Sequence, residues 1–261
     1  MTTNLEAILG ETGGQVACFV GRVEAAGPRV LFAWHSNTVF PAASLAKVPI
    51  LLTLVRQLAQ PDSPYTWQTC LEVTAEARVP SAGVLGELSP ELRPTLYDLA
   101  HLMITISDNT AANMLLDLVG MAAVNATMAS IGLQKTRLER RFMDFEARQA
   151  GRDNWTTAAE MAQLFSYLST ADIPERQRLL RILLHQNDHA ILPAYWGEEV
   201  PFAHKTGGLP GLMHDAGLLF RDLDDPHPLV IVALTAEQVD IPLTQFMLAR
   251  LGRAIRQEWQ P

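Results

Sequence analysis

The chain has 261 residues, 48% of them hydrophobic and 18% charged, with a formal net charge of −8. This composition excludes a disordered chain, and the acidic balance argues against a nucleic-acid or anionic-membrane partner, which would call for a basic face. At this length, one large domain or two packed lobes buries roughly 75% of the surface that the unfolded chain exposes.

The N-terminal residues, MTTNLE, carry neither a basic segment nor a long apolar run, so no signal peptide is visible. As written, the chain reads as cytoplasmic; with a leader removed, it would read as periplasmic or secreted. The apolar runs at 48–55 and 228–234 fall short of the roughly 20 residues that a membrane helix needs. Residues 4–10 predict a short helix closed by Gly10, and Gly13-Gly14 releases the chain into a strand at 16–20. A second strand at 30–34 follows a turn at Gly27-Pro28, so a hairpin opens the fold. Cys18, in the first strand, and Cys70, after Trp67, read as two buried thiols rather than a disulfide.

From Ser44 to about Leu184 the pattern is helical. Leu96, Leu99, Ala100, Met103 and Ile106 recur at helical spacing behind an N-cap at Thr95. A helix at 110–119 is stopped by Gly120, and another starts near Thr156-Thr157 with Ala162, Leu164, Phe165 and Leu168 inward. Strands return at 202–206, 216–220 and 229–235, the first two joined through residues 207–211, and a helix at 242–255 follows. The expected fold class is α/β (α+β), an antiparallel sheet flanked by helices. Both chain ends fall in an α/β lobe of about 1–43 and 186–261, and an all-helical lobe of about 44–185 is inserted between them.

Three short strings carry the chemistry. In Ser44-Leu45-Ala46-Lys47 the three-residue spacing puts both functional side chains on one helix face. A serine needs a base within hydrogen-bond reach before it is a useful nucleophile. Pro41 places the serine near a helix N-terminus, where free N–H groups favour a developing anion. The apolar run that follows predicts a buried lysine, and burial lowers its pKa from about 10.4, so a neutral Lys47 takes the Ser44 proton. Ser107-Asp108-Asn109 joins two helices, and Ser107 or Asp108 suits an N-cap there. The Ser107 hydroxyl can also pass a proton to a leaving amine, while Asn109 bonds a substrate amide or Lys47. Lys205-Thr206-Gly207 ends a strand and is followed by Gly208; the cation and hydroxyl suit a carboxylate, and the glycines permit close backbone approach.

With Ser44 and Ser107 63 residues apart and Ser107 and Lys205 98 apart, the set resembles that of the class A β-lactamase-related serine hydrolases, members of the penicillin-interacting serine enzyme superfamily. The resemblance implies a β-lactamase/transpeptidase-like fold, with Ser44 acylated, Lys47 as its base and Ser107 as proton relay. Asn109, Lys205, Thr206 and Gly207 would contact substrate, and the backbone N–H groups of Ser44 and Gly208 would form the oxyanion hole. The implied activity is opening of β-lactam amides through an acyl-enzyme, by a monomer, with neither cofactor nor metal. A D,D-peptidase or esterase using the same acyl-serine chemistry is the alternative, and a non-catalytic penicillin-binding module is a further one. The expected partner is a small β-lactam, acyl amide or ester.

One stretch departs from the resemblance. Class A enzymes carry Glu-x-x-x-Asn between the second and third strings, the glutamate orienting the deacylating water; here residues 140–149 read RRFMDFEARQ. Glu139, Asp144 and Glu146 are the carboxylates at hand, and none has an asparagine four residues on. Asp144 is the first choice for a water-positioning base and Glu146 the second, with surface ion pairs to Arg140, Arg141 or Arg148 as the other role for each. Slow deacylation is therefore expected. The following NWTTAAEMA, from Asn154, matches the family's D-x-T-x-x-x-x-M-A helix start with asparagine in the aspartate position. His214 and Asp215 are strand neighbours and point to opposite faces. His185 and His189, four apart on an expected helix, lack a third ligand. Neither pair is assigned a role.

Overall fold

The computed structural model describes residues 2–80, 82–197 and 199–259. Helix α1 (Thr2–Leu9) leads into strands β1 (Gln15–Glu24), β2 (Gly27–Trp34) and β3 (Val39–Pro41). A 3-10 turn at Ala43–Ala46 then runs directly into α2 (Lys47–Leu58). After a long irregular segment come α3 (Leu96–Thr105), α4 (Asn109–Val119), α5 (Met121–Ser130), α6 (Phe145–Gln149), β4 (Trp155–Thr157), α7 (Ala158–Thr170) and α8 (Arg176–Leu184). Strands β5 (Phe202–Leu209), β6 (Leu212–Leu219) and β7 (Leu229–Ala236) precede the last helix, α9 (Ile241–Glu258).

The five-stranded antiparallel sheet has the order β2-β1-β7-β6-β5, so its centre joins the first strand of the chain to the last. Both faces are buried, and the strands alternate between two cores with the period of two that a pleated strand imposes. Ala17, Phe19, Val230, Val232 and Leu234 belong to the core shared with α2, α3, α4 and α7. Cys18, Val20, Leu229, Ile231 and Ala233 belong to the core shared with α1 and α9. Burial pushes the Cys18 thiol up to about 12, so it behaves as a small apolar side chain.

The expected mixed fold is present, with several local corrections. The helical pattern does not run unbroken after α2: the described residues of 59–95 form a 3-10 turn at Leu85–Glu87 and an isolated antiparallel bridge between Cys70 and Thr95 but no α-helix, because Pro61, Pro64, Pro80, Pro90 and Pro94 deny them regular backbone hydrogen bonding. The first hairpin turns at Ala25-Ala26, since Glu24 already pairs with Gly27. Pro28 lies inside β2, which tolerates it as an edge strand. Likewise β5 continues to Leu209 and turns at Pro210-Gly211. The helix expected near Thr156-Thr157 does start there: α7 begins at Ala158, capped by Thr157 through the Glu160 N–H, and the two threonines also close strand β4. Cys70, expected to be buried, is exposed. Helix α8 ends at Leu184, so His185 and His189 do not share a helix face.

Helix α9 lies against the 3-10 turn at Leu192–Tyr195 without any spacer, because Gly252 has no Cβ; one built there would run into the Leu192 backbone. The Gly252 carbonyl also accepts the Trp196 indole N–H at 3.2 Å. Gly252→Ala should therefore lower stability by about 1–3 kcal/mol through overpacking, read as a drop in the urea midpoint at unchanged slope.

Candidate active site

Helix α2 begins at Lys47, and the 3-10 turn before it presents Ser44 on the same side. The turn is tight: Ala43 has φ of +47°, in the region that L-residues visit only under constraint. Strand β5 presses on it, since Gly207 has no side chain and a Cβ there would come within 3.4 Å of the Ala43 Cβ. β5 is the sheet's edge strand, so among the described residues one of its flanks has no ladder partner, leaving backbone donors and acceptors there that are not used by the sheet.

Lys47 is fully buried. Its Nζ lies 3.2 Å from Ser44 Oγ, 2.6 Å from the Ser107 carbonyl, 3.0 Å from Ser107 Oγ and 2.7 Å from Asn109 Oδ1. Four of the residues predicted from sequence thus meet at one nitrogen. Burial, reinforced by the Lys205 ammonium and opposed by Asp108, holds Lys47 well below the ordinary lysine range. A lysine with that proton affinity and a serine oxygen in reach is equipped to act as a general base.

The α3–α4 junction that supplies Ser107 is held by its neighbours. Thr95 and Asp98 form a reciprocal capping box at the start of α3, and Ser107 adopts φ of +59°. Buried Asp108 caps α4 through the Ala111 N–H at 2.9 Å. Its other oxygen accepts from Val84 and Leu85, both at 2.7 Å. Asp108 therefore fixes the irregular segment beside the site as well as the helix, a second job that its sequence context did not reveal.

Lys205 is also buried, its Nζ donating to the Thr206 carbonyl at 2.9 Å. Burial lowers it to about 7, against the opposing pull of Asp215 and Asp188. Thr206 is buried and Gly208 is exposed on the same strand. His214 and Asp215 do point to opposite faces. The His214 ring bonds the Pro41 carbonyl (2.8 Å) and the Thr235 N–H (3.1 Å) and is lowered by burial to about 4, while Asp215 pairs with His204.

The loop that departs from the resemblance places an unexpected residue at the centre. The Phe142 ring lies under the Lys47 side-chain nitrogen, with Nζ 4.8 Å from the ring centroid. Its backbone is clamped by buried Asn113, which accepts from the Phe142 N–H at 2.9 Å and donates to the Phe142 carbonyl at 3.0 Å. Asp144 caps α6 through the Ala147 N–H at 2.9 Å, and Glu146 is exposed. The expected arginine partners differ as well. Glu139 pairs with Arg137, Arg141 pairs with Asp117, and Arg140 and Arg148 both pair with buried Asp153. Asn154 takes the aspartate position of the family pattern as an acceptor, its Oδ1 receiving the Glu139 and Arg140 N–H groups. The reading of the sequence missed Phe142 and Asn113. The i, i+4 spacing of Asn109 and Asn113 was the available signal, since it puts two amides on one helix face.

The model of the β-lactamase enzyme family matches residues 1–259. The chain is similar to β-lactamase FAR-1 of Nocardia farcinica, at 31% identity over 173 residues. The match covers 62% of this chain and 53% of that protein, so it spans about half the length of that relative. Among solved structures, a β-lactamase from Sphaerobacter thermophilus superposes with a TM-score of 0.87 at 29% identity, over 98% of this chain and 96% of that one. A leucine-to-glutamate mutant of PBP-A, solved as an acyl-enzyme complex with penicillin G, superposes with a TM-score of 0.84 at 25% identity, over 98% and 95% of the two chains.

The Asn113 clamp makes the placement of Phe142 testable. Asn113→Ala leaves a buried N–H and carbonyl unpaired, so stability should fall by about 1–3 kcal/mol per stranded group in urea unfolding. Limited proteolysis should become faster between residues 139 and 154 than elsewhere.

Proposed function

The chain belongs to the β-lactamase enzyme family, and on that premise we propose that it is a class A-type serine hydrolase that opens β-lactam amides by acylating Ser44 and releases the acyl group slowly. The observation that carries this reading is the Lys47 cluster, with its serine oxygen on one side and an apolar ring on another. Neutral Lys47 takes the Ser44 Oγ proton as the oxygen attacks the lactam carbonyl. Backbone N–H groups of Ser44 and Gly208 stabilise the oxyanion. Ser107, within 3.0 Å of Lys47 Nζ, relays the proton to the amide nitrogen as the C–N bond breaks. Lys205 and Thr206 hold the substrate carboxylate, and Asn109 orients both lysine and substrate.

Release of the acyl group requires a base that activates a water against the ester carbonyl. The residue against Lys47 is Phe142, which cannot accept a proton, and Asp144 already spends an oxygen on capping α6. This favours an accumulating acyl-enzyme, and as a second reading a D,D-peptidase or esterase, which shares the acylation step; a non-catalytic penicillin-binding module is a separate alternative. Asp144 and Glu146 are the residual candidates for a substitute base.

Incubation with penicillin G followed by intact-mass measurement tests the proposal: the adduct mass should persist in the steady state, and Ser44→Ala should form none. Phe142→Glu should shorten the adduct lifetime by about 100-fold, the scale of general-base assistance. A rapidly cleared adduct in the unmodified chain would overturn slow release, and an adduct on Ser44→Ala would overturn the nucleophile.

Acylation also has a pH signature. The rate rises with pH as Lys47 loses its proton, which burial and Lys205 place well below the ordinary lysine range. With carboxylate-bearing substrates it falls again as Lys205 deprotonates near 7 in the free protein. Lys205→Arg keeps its charge at all accessible pH, so the falling limb should vanish from the pH profile of the second-order acylation rate.

A further inference from the structure

We propose that Asp188 is a selectivity residue of the active site, favouring substrates that carry a cation beside the carboxylate held by Lys205. The inference rests on the acyl-serine reading given above and adds to it the charge pattern of the substrate on the amine side of the scissile bond.

The turn after α8 lies between the two strings that flank Ser44. On one side, buried Gln186 donates from Nε2 to the Ile104 carbonyl at 2.8 Å, and the Asn187 N–H donates to the Thr105 carbonyl at 3.0 Å. Those carbonyls belong to the last turn of α3, three and two residues before Ser107. On the other side, the His189 ring lies 5.7 Å from that of His204, the residue before Lys205. Asp188 sits between these anchors. Its N–H donates to Gln186 Oε1 at 3.1 Å, and its Oδ1 accepts the Ala190 N–H at 3.2 Å, so the turn orients both its backbone and its carboxylate.

Two acids act on Lys205, and they differ in what a ligand can reach. Asp215 is fully buried, with Oδ1 2.8 Å from His204 Nδ1 and Oδ2 accepting the Leu192 N–H at 3.1 Å. Both of its oxygens are engaged inside the fold. Asp188 is exposed, and its charge also reaches Lys205, against the effect of burial there. A substrate bearing only a carboxylate therefore meets one cation that attracts it and one exposed anion that repels it. A substrate with a cation next to its carboxylate meets an opposite charge for each of its own, so Lys205 and Asp188 together select a zwitterion and disfavour an added anion. Because Asp188 makes no contact with Ser44 or Lys47 among the described residues, its effect falls on substrate capture.

Cephaloridine and cephalothin test this, since they share one acyl side chain and one carboxylate and differ in a cationic pyridinium against a neutral acetoxy group beside that carboxylate. The quantity read is the ratio of their second-order rate constants for acylating Ser44, cephaloridine over cephalothin, followed by intact mass. The shared carboxylate cancels from this ratio whatever the variant does to Lys205. At low ionic strength Asp188→Asn should lower the ratio by about threefold, the scale of one rim charge, and Asp188→Glu should keep it. Added salt should shrink the difference between the unmodified chain and Asp188→Asn. Asp188→Ser, whose hydroxyl still accepts the Ala190 N–H, replaces Asp188→Asn if that variant does not fold. Asp62→Asn removes the same charge from an exposed position at the far end of α2 and should leave the ratio unchanged. If neither compound labels Ser44, the acyl-serine reading fails and this inference with it. Labelling with a ratio that Asp188→Asn does not lower, or that Asp62→Asn lowers equally, would overturn this inference alone.

Discussion

A lysine nitrogen in the dry interior is the constraint around which the rest of this molecule is arranged. Burying an ammonium alone is costly, and Lys47 is buried beside a second lysine charge. An ammonium has three N–H groups, yet four oxygens surround Nζ, drawn from the turn before α2 and from the α3–α4 junction. The oxygens favour the charged form, while burial and Lys205 favour the neutral one. The proton affinity of Lys47 is the balance between them, so a shift in either supporting segment changes it. The left-handed backbone at Ala43 and Ser107, costing about 1–3 kcal/mol each, is held because each residue is locked between packed elements.

Where the sequence was legible, local chemistry and periodicity agreed. The Thr95 cap, the Asp108 cap and the alternating strands β1, β6 and β7 were readable, because a cap residue announces itself and a strand buried on both faces reads as an apolar run. That Ser44 and Lys47 share a face followed from their three-residue spacing, and a bond from Asn109 to Lys47 was one of the two roles expected of that amide. What escaped depends on contacts distant in sequence. That Phe142 turns inward is decided by Asn113, which lies 29 positions away. That Arg140 prefers Asp153 to its nearer acidic neighbours depends on burial, which one-dimensional charge patterns do not record. The proline-rich 59–95 segment was read as helix from its surroundings, although its own composition argued otherwise.

The loop from Glu139 to Asn154 illustrates how charge and packing divide their work. Arg140 and Asp153 are both nearly buried and pair at 2.7 Å. Such a pair often adds little net stability compared with apolar packing, but losing one partner strands a charge and is strongly destabilising. Its effect is to select one loop geometry over others, helped by Asn154 on the neighbouring N–H groups. That geometry delivers an aromatic face to Lys47, a contact that stabilises a cation without offering it any place to send a proton.

The sheet order carries a consequence for how the chain is made. Strand β1 pairs with β7 from Gln15 to Arg22, so the N-terminal hairpin emerges with one flank bare and stays so while more than two hundred intervening residues are synthesised. At translation rates of 5–20 residues per second this amounts to roughly 10–40 seconds. During that interval the ribbon presents an apolar, unpaired edge of the kind that recruits other strands. Contacts so distant in sequence also slow closure of the sheet once the chain is complete. Yield in a cell will therefore be limited by what shields that early hairpin, and lesions in β7 or α9 will appear as insoluble protein before they appear as lost activity.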